Sequence, residues 1–555
     1  MAESELTGTT RRQFLQSATL MGSAAALAPF QSALGAGLEG SPMDSKMDSR
    51  ASLAGVRAFE LDEVTVSQLA EGMNSGKYSA RFLVEQYTAR IRDFDKKTIN
   101  SVIELNPDAP AIAESLDRER KARGARGPLH GVPVLLKDNI ATADRMMTTA
   151  GSLALVGARS PKDSFVARRL RAAGAVILGK TNLSEWANFR SSHSTSGWSG
   201  RGGLTRNPYV LDRNPCGSSS GSGAAISANF AALAIGTETD GSIVCPSSAN
   251  GLAGIKPTLG LVSRAGIVPI AHSQDTAGPM CRTVRDAAIL LGALAGLDPE
   301  DGATAASLGR SQPDYARYCD PAGLKGARIG VARKYFGFND AVDALMEQAL
   351  EAMKAQGAIL VDPADIASFG QFGHTEQLVL LYELKAGLNA YLAGLTDSPV
   401  RTLEDVIAFN ERRRSEELAH FGQDLFLQAE AKGPLTEKEY LDALAANHRL
   451  TQAEGIDALM DKFNLDAIVA PTGGPAWLTD LINGDHSAGG SSDAAAVAGY
   501  PNINVTAGYV SGLPVGISFF GRAWSEGRLI KLAYSFEQAT NARQPPKFLP
   551  TIGPG

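Results

Sequence analysis

Apolar positions along this chain change period several times. From Leu61 the spacing is helical: Phe82, Leu83, Gln86, Tyr87 and Ile91 fall on one face, and Thr65-Val66-Ser67-Gln68 has the form of a capping box. Two packing helices are predicted there. Short apolar runs then alternate with amphipathic ones: a strand over 132–136, a helix over 165–173, a strand over 175–178, a helix over 222–229 and a strand over 230–235. The alternation continues through 327–332, 341–356 and 358–361, gives way to a long helical region over 376–463, and returns as strands at 467–470, 503–506 and 515–519 before a closing helix over 526–540. Such alternation predicts an α/β fold with mostly covered strands. No Pro/Gly-rich linker divides residues 61–545, so the pattern predicts one large domain. It has a mixed central sheet covered by helices and a helical insertion over 376–463. Residues 546–555 form a tail.

Composition narrows the class. Among 555 residues, 44% are apolar and 20% charged, which describes a globular chain with a large core. A formal charge of −6 supplies no general basic field, so nucleic acid is not expected as a partner. The seven histidines, His130, His193, His272, His374, His420, His448 and His486, stand singly without paired-ligand spacing, and no metal or cofactor is expected. Cys216, Cys245, Cys281 and Cys319 form neither a CxxC pair nor a dense disulfide framework, and a core of this size needs no staple.

The first residues differ from the rest. Thr10-Arg11-Arg12-Gln13-Phe14-Leu15 sets two arginines before an uncharged Ala/Gly/Ser/Leu stretch that ends in small residues near Ala33 to Gly37. That arrangement resembles a twin-arginine export signal. Residues 1–36 are therefore expected to address the chain to an export machinery and to a periplasmic or secreted location, with 37–60 as a linker. The run is broken by Pro29 and is too weakly apolar for a comfortable membrane span.

The densest chemical signal is Gly217-Ser218-Ser219-Ser220-Gly221-Ser222-Gly223, followed by Gly236-Thr237-Glu238-Thr239-Asp240-Gly241-Ser242-Ile243. Glycine and serine let backbone N–H groups approach a ligand closely, and a helix start adds partial positive charge, so these runs suit an anion site or an oxyanion hole. No Gly-Lys-Ser/Thr ends either run, which excludes a P-loop. A second element, Gly131 to Asn139, ends an apolar strand in Lys137. Burial there would lower the lysine pKa and make it a general base.

In order and spacing, Gly131–Asn139, Gly179-Lys180-Thr181-Asn182, the stretch from Cys216 to Ser247 and Gly254-Ile255-Lys256-Pro257-Thr258 resemble the amidase-signature family across roughly residues 61 to 545. The resemblance implies a hydrolase of carboxamides in which Ser242 is the nucleophile, Ser218 the bridging serine and Lys137 the base, acting through an acyl-enzyme. It also implies a cis peptide at Gly217–Ser218 and an oxyanion hole from the backbone N–H groups of Thr239, Asp240, Gly241 and Ser242. Within the family, Ser184 to Arg190, Gly236 to Pro246 and Ala496 to Pro501 are most similar to the bacterial peptide amidases, which implies release of ammonia from C-terminal peptide amides.

Many family members carry arginine after the Ser-Ile pair, whereas this chain has Val244-Cys245-Pro246, leaving no cation there for a substrate carboxylate. Cys245 is expected to be a packed cysteine and Asp240 a turn residue holding its own backbone. An aryl acylamide, fatty acid amide or small aliphatic amide remains open as substrate. So do the amidase component of a glutamine-dependent amidotransferase and a non-catalytic binding protein, each less favoured. Sequence leaves the oligomeric state undetermined.

Overall fold

The computed structural model describes residues 59–553. The expected export signal over 1–36, and all but the end of the expected linker over 37–60, lie outside them. Among the described residues the main sheet has eleven strands: β1 Val102–Leu105, β2 Pro133–Lys137, β3 Val176–Thr181, β4 Leu233–Glu238, β5 Ala253–Lys256, β6 Thr276–Cys281, β7 Arg328–Val331, β8 Ile359–Val361, β9 Ala467–Pro471, β10 Asn502–Val510 and β11 Leu513–Phe520. Their spatial order is β1-β3-β2-β4-β6-β5-β10-β11-β9-β7-β8. The β2–β3, β2–β4, β9–β7 and β7–β8 pairs are parallel; β4–β6, β5–β10, β10–β11 and β11–β9 are antiparallel. The sheet is mixed, as expected.

Every residue of β2, β3, β4, β6 and β11 is buried, so both faces of these strands are covered. That is why β2, β3, β4 and β11 read as continuous apolar runs and not as alternations. The predicted helices form at Val66–Asn74 and Ala80–Arg90, and Thr65 and Gln68 make the reciprocal capping box. The closing helix spans Glu526–Thr540. Strands β1, β5 and β6 have no counterpart in the apolar pattern. β5 and β6 are built largely of small or weakly β-forming residues, and Gly278 shows why: a Cβ there would stand 2.0 Å from the Ile255 carbonyl oxygen. Neighbour packing, not local preference, makes them strands.

The expected insertion is a set of helices from Gly373–Ala393 to Asp457–Phe463. Its apolar stripe, including Leu384, Leu388, Leu403, Val406 and Phe426, packs with Trp186 and Phe189 of the main body. The ring centroids of Trp186 and Phe426 lie 5.7 Å apart. Part of the tail is also packed: Phe548 is buried against Phe94, and Leu549 accepts from the N–H of Leu211.

Candidate active site

The parallel β2–β4 pair brings Lys137, at the end of β2, beside the end of β4, 100 residues away. Lys137 is fully buried. Its Nζ lies 2.8 Å from Ser218 Oγ, 2.8 Å from Thr237 Oγ1 and 3.2 Å from the Thr237 carbonyl oxygen. Burial pushes its pKa down to about 7, although the negative charges of Asp275 and Glu238 oppose the fall. A neutral amine has two hydrogens and one lone pair. The two Thr237 oxygens can accept the hydrogens, which leaves the lone pair for the Ser218 hydroxyl.

Ser218 Oγ lies 3.1 Å from Ser242 Oγ, completing a continuous path from amine to the second serine. The loop holding Ser218 is fixed from three sides. Ser184 N–H donates to the Ser218 carbonyl, Ser219 Oγ donates to the Thr237 carbonyl at 3.0 Å, and Ser219 N–H reaches the Ser242 carbonyl at 3.3 Å. Small residues are required here: a Cβ on Gly221 would meet the Ser101 carbonyl oxygen at 2.3 Å. The Gly217–Ser218 peptide is cis.

The turn from Thr239 to Ser242 links β4 to the helix Val244–Ala249. Gly241 has φ +76°, a left-handed conformation that favours glycine. Glu238 anchors the far side of the turn by accepting from the N–H groups of Ile243 and Val244 at 2.7 and 3.0 Å, and it faces Gly241 N–H as well. Among the described residues no acceptor takes the N–H groups of Asp240 or Ser242. Thr239 donates its hydroxyl to Asp275 at 2.5 Å. A cleft of about 250 Å³ opens beside this turn, lined by Gly217, Asp240, Gly241, Val244, Trp477 and Gly489 among others.

Two expectations are corrected. Cys245 is not a free packed cysteine: it forms a disulfide with Cys216, 29 residues away, and both line the cleft. The pair becomes visible only once the fold brings the residue before Gly217 to the helix after Ser242. Asp240 does not hold its own turn. Its Oδ1 has no hydrogen-bond partner among the described residues. Burial, together with Glu376 and Asp493, raises its pKa well above the usual range. Glu376 comes from the first helix of the insertion and accepts from Gln274 Nε2 at 3.0 Å.

Thr237 and Asn139 lie inside two of the motifs, but nothing in the sequence assigns them a task. Asn139 Nδ2 donates to Thr237 Oγ1 at 2.9 Å and so helps set the partner of Lys137. Their place inside the motifs is the available signal. Glu376 has none, because it lies in a separate helix.

Comparison with known proteins identifies the family. Residues 82–530 match the family model described as Amidase. The crystal structure of native peptide amidase from Stenotrophomonas maltophilia is 50% identical, with a TM-score of 0.84, over 88% of this chain and 99% of that one. A probable amidase of Arabidopsis thaliana is 45% identical over 88% of this chain and 93% of its own length. The crystal structure of an amidase family protein from Bacillus anthracis is 35% identical, with a TM-score of 0.80, over 88% of this chain and 93% of that one.

Proposed function

This chain belongs to the amidase-signature family, a hydrolase acting on C–N amide bonds, and on that premise we propose that it releases ammonia from C-terminal peptide amides through Lys137, Ser218 and Ser242. The observation that carries the proposal is the unbroken path Lys137 Nζ, Ser218 Oγ, Ser242 Oγ, with steps of 2.8 and 3.1 Å. A serine hydroxyl is a weak nucleophile until a base takes its proton. Neutral Lys137 takes the proton of Ser218, Ser218 takes that of Ser242, and Ser242 Oγ attacks the carboxamide carbon. The turn from Thr239 to Ser242 stabilises the developing oxyanion by backbone N–H, those of Thr239, Asp240 and Ser242 foremost because they are uncommitted. The protons return through Ser218 to the leaving nitrogen, ammonia departs, and water resolves the acyl-enzyme to a free acid.

Two features favour a small leaving group and a peptidyl acyl side. Val244 lines the cleft where many relatives carry arginine, so no cation matches a free carboxylate. The S. maltophilia peptide amidase, similar over nearly its full length, supports the same substrate class. Mass spectrometry of a peptide amide incubated with enzyme tests it. Loss of the terminal amide alone is expected. Internal fragments, or glutamine hydrolysed faster than the peptide amide, would overturn the proposal.

We further propose that Arg11 and Arg12 address the chain for twin-arginine export. The Cys216–Cys245 disulfide suits an oxidising compartment. Replacing both arginines by lysine should strand activity in the cytoplasm; undiminished export would refute the assignment.

A further inference from the structure

Beyond the cleft wall formed by Gly489, Gly490 and Ser492 lies a second cavity of about 350 Å³ that shares those three residues with it. Four aromatic side chains, Tyr335, Phe336, Phe338 and Phe369, line it together with Lys334 and Asp493. Tyr335 is buried, and its hydroxyl donates to Asp493 at 2.7 Å. The three phenylalanines are only partly buried, although phenylalanine is normally taken fully out of water. None of them takes part in the proton path.

The rings are presented by a fixed backbone. The segment follows β7, and its N–H groups are tied down: Lys334 donates to Asp365 at 2.8 Å and Gly337 to Asp343 at 3.0 Å. Arg333 is paired with Asp362 and Glu347. Tyr335 and Phe369 meet edge to face at 4.8 Å. On the cleft side the backbone lies against Phe338 so closely that a Cβ on Gly489 would come within 2.3 Å of the ring. Ordered, half-covered aromatic rings around one cavity form a surface that a flat or bulky apolar group would cover.

We propose that this cavity is a specificity subsite that takes an aromatic side chain of the acyl portion of the substrate, upstream of the residue bearing the scissile amide. This rests on the peptide-amide function proposed above. The cleft beside Gly241 receives the terminal residue, so the next space along the chain belongs to a residue before it. The two spaces share Gly489, Gly490 and Ser492 in their linings, so an extended peptide laid over that segment would reach from one to the other. Apolar contact with Phe338 and Phe369 provides the selection, and no group in the subsite reacts.

The test is a competition between two dipeptide amides that differ only in the first residue, phenylalanine against alanine, followed by mass spectrometry. The ratio of their kcat/KM values is read within each enzyme, so a change in folded fraction cancels. The native enzyme should favour the phenylalanine peptide by about ten-fold, the low end of what an apolar pocket discriminates. Phe338→Ala should bring the ratio close to one, and Phe369→Ala should lower it in the same direction. The preference should move with position, disappearing when phenylalanine is placed last. A native ratio near one, or a ratio that both variants leave intact, overturns the subsite while leaving the peptide-amide function standing. Hydrolysis of neither peptide overturns both.

Discussion

The serine-rich centre and the helical insertion solve opposite problems. In the centre, polar groups are buried: Lys137, Ser218, Ser219 and Thr237 are at or near full burial, and each is satisfied by a partner remote in sequence. In the insertion most charges remain in water and pair locally, as Arg413 does with Glu416 and Lys438 with Asp442. Buried polar groups require partners, so the centre is held by geometry that few substitutions can preserve. Exposed pairs are screened and contribute little. One element joins the two regimes. Arg190 is fully buried, donates to Glu185 at 2.5 Å and to the Glu417 carbonyl at 2.6 Å, and stacks over Phe421 at 4.2 Å. Through it the insertion is tied to the segment after Ser184, whose N–H holds Ser218.

The largest expected effect is at the centre. Ser242→Ala should lower kcat by on the order of 10⁵ with the fold intact, because in the proposed mechanism proton path and nucleophile act as a unit. Steady-state ammonia release together with circular dichroism checks this, and near-normal turnover in the folded variant would break the contrast at its strongest point.

Removing the tie between the regions comes next. Arg190→Ala should destabilise the protein by about 3–5 kcal/mol, since it leaves Glu185 and Glu417 buried without their cation. Burial and the neighbouring Glu417 already raise the Glu185 pKa well above its ordinary value, despite Arg190. The shift of the urea midpoint measures the loss. Adding Glu185→Gln and Glu417→Gln should recover part of it, whereas no recovery would show that packing against Phe421 was the dominant contribution.

A pH profile tests the buried base without mutation. In the proposed mechanism Lys137 acts when neutral, and its pKa is pushed down to about 7. Below that pH it is protonated and kcat/KM should fall by about ten-fold per unit, while above it the rate should level off. Asp275 is the first of the charges that hold the pKa up. Asp275→Asn should therefore move the acid limb to lower pH, and a limb that does not move would assign it to another group.

The smallest effect is expected on the insertion surface. Lys438 and Asp442 are mostly exposed, and Lys438→Ala should change stability by less than about 0.5 kcal/mol. A larger shift in thermal midpoint would mean that the surface pairs are more than solvated charges.

Much of this molecule is written in local pattern. The Thr65–Gln68 cap, the apolar runs that form β2, β4 and β11, the closing helix and the Gly/Ser runs around Ser218 and Ser242 all depend on neighbours within a few residues, where period and residue type suffice. The same pattern sets Lys137 at the tip of an apolar strand, but its burial and its partners come only with the fold. What tertiary structure decided were pairings across the chain: Lys137 with Thr237, Cys216 with Cys245, Glu376 beside the turn at Asp240, Arg190 with Glu417. Strands β5 and β6 belong with these, since their small residues become strand only against neighbouring backbones, β4 and β10 as well as each other. The reason is physical: local preference is set by dihedrals and near neighbours, whereas a contact spanning 100 or 227 residues exists only after the strand order has closed the intervening loops.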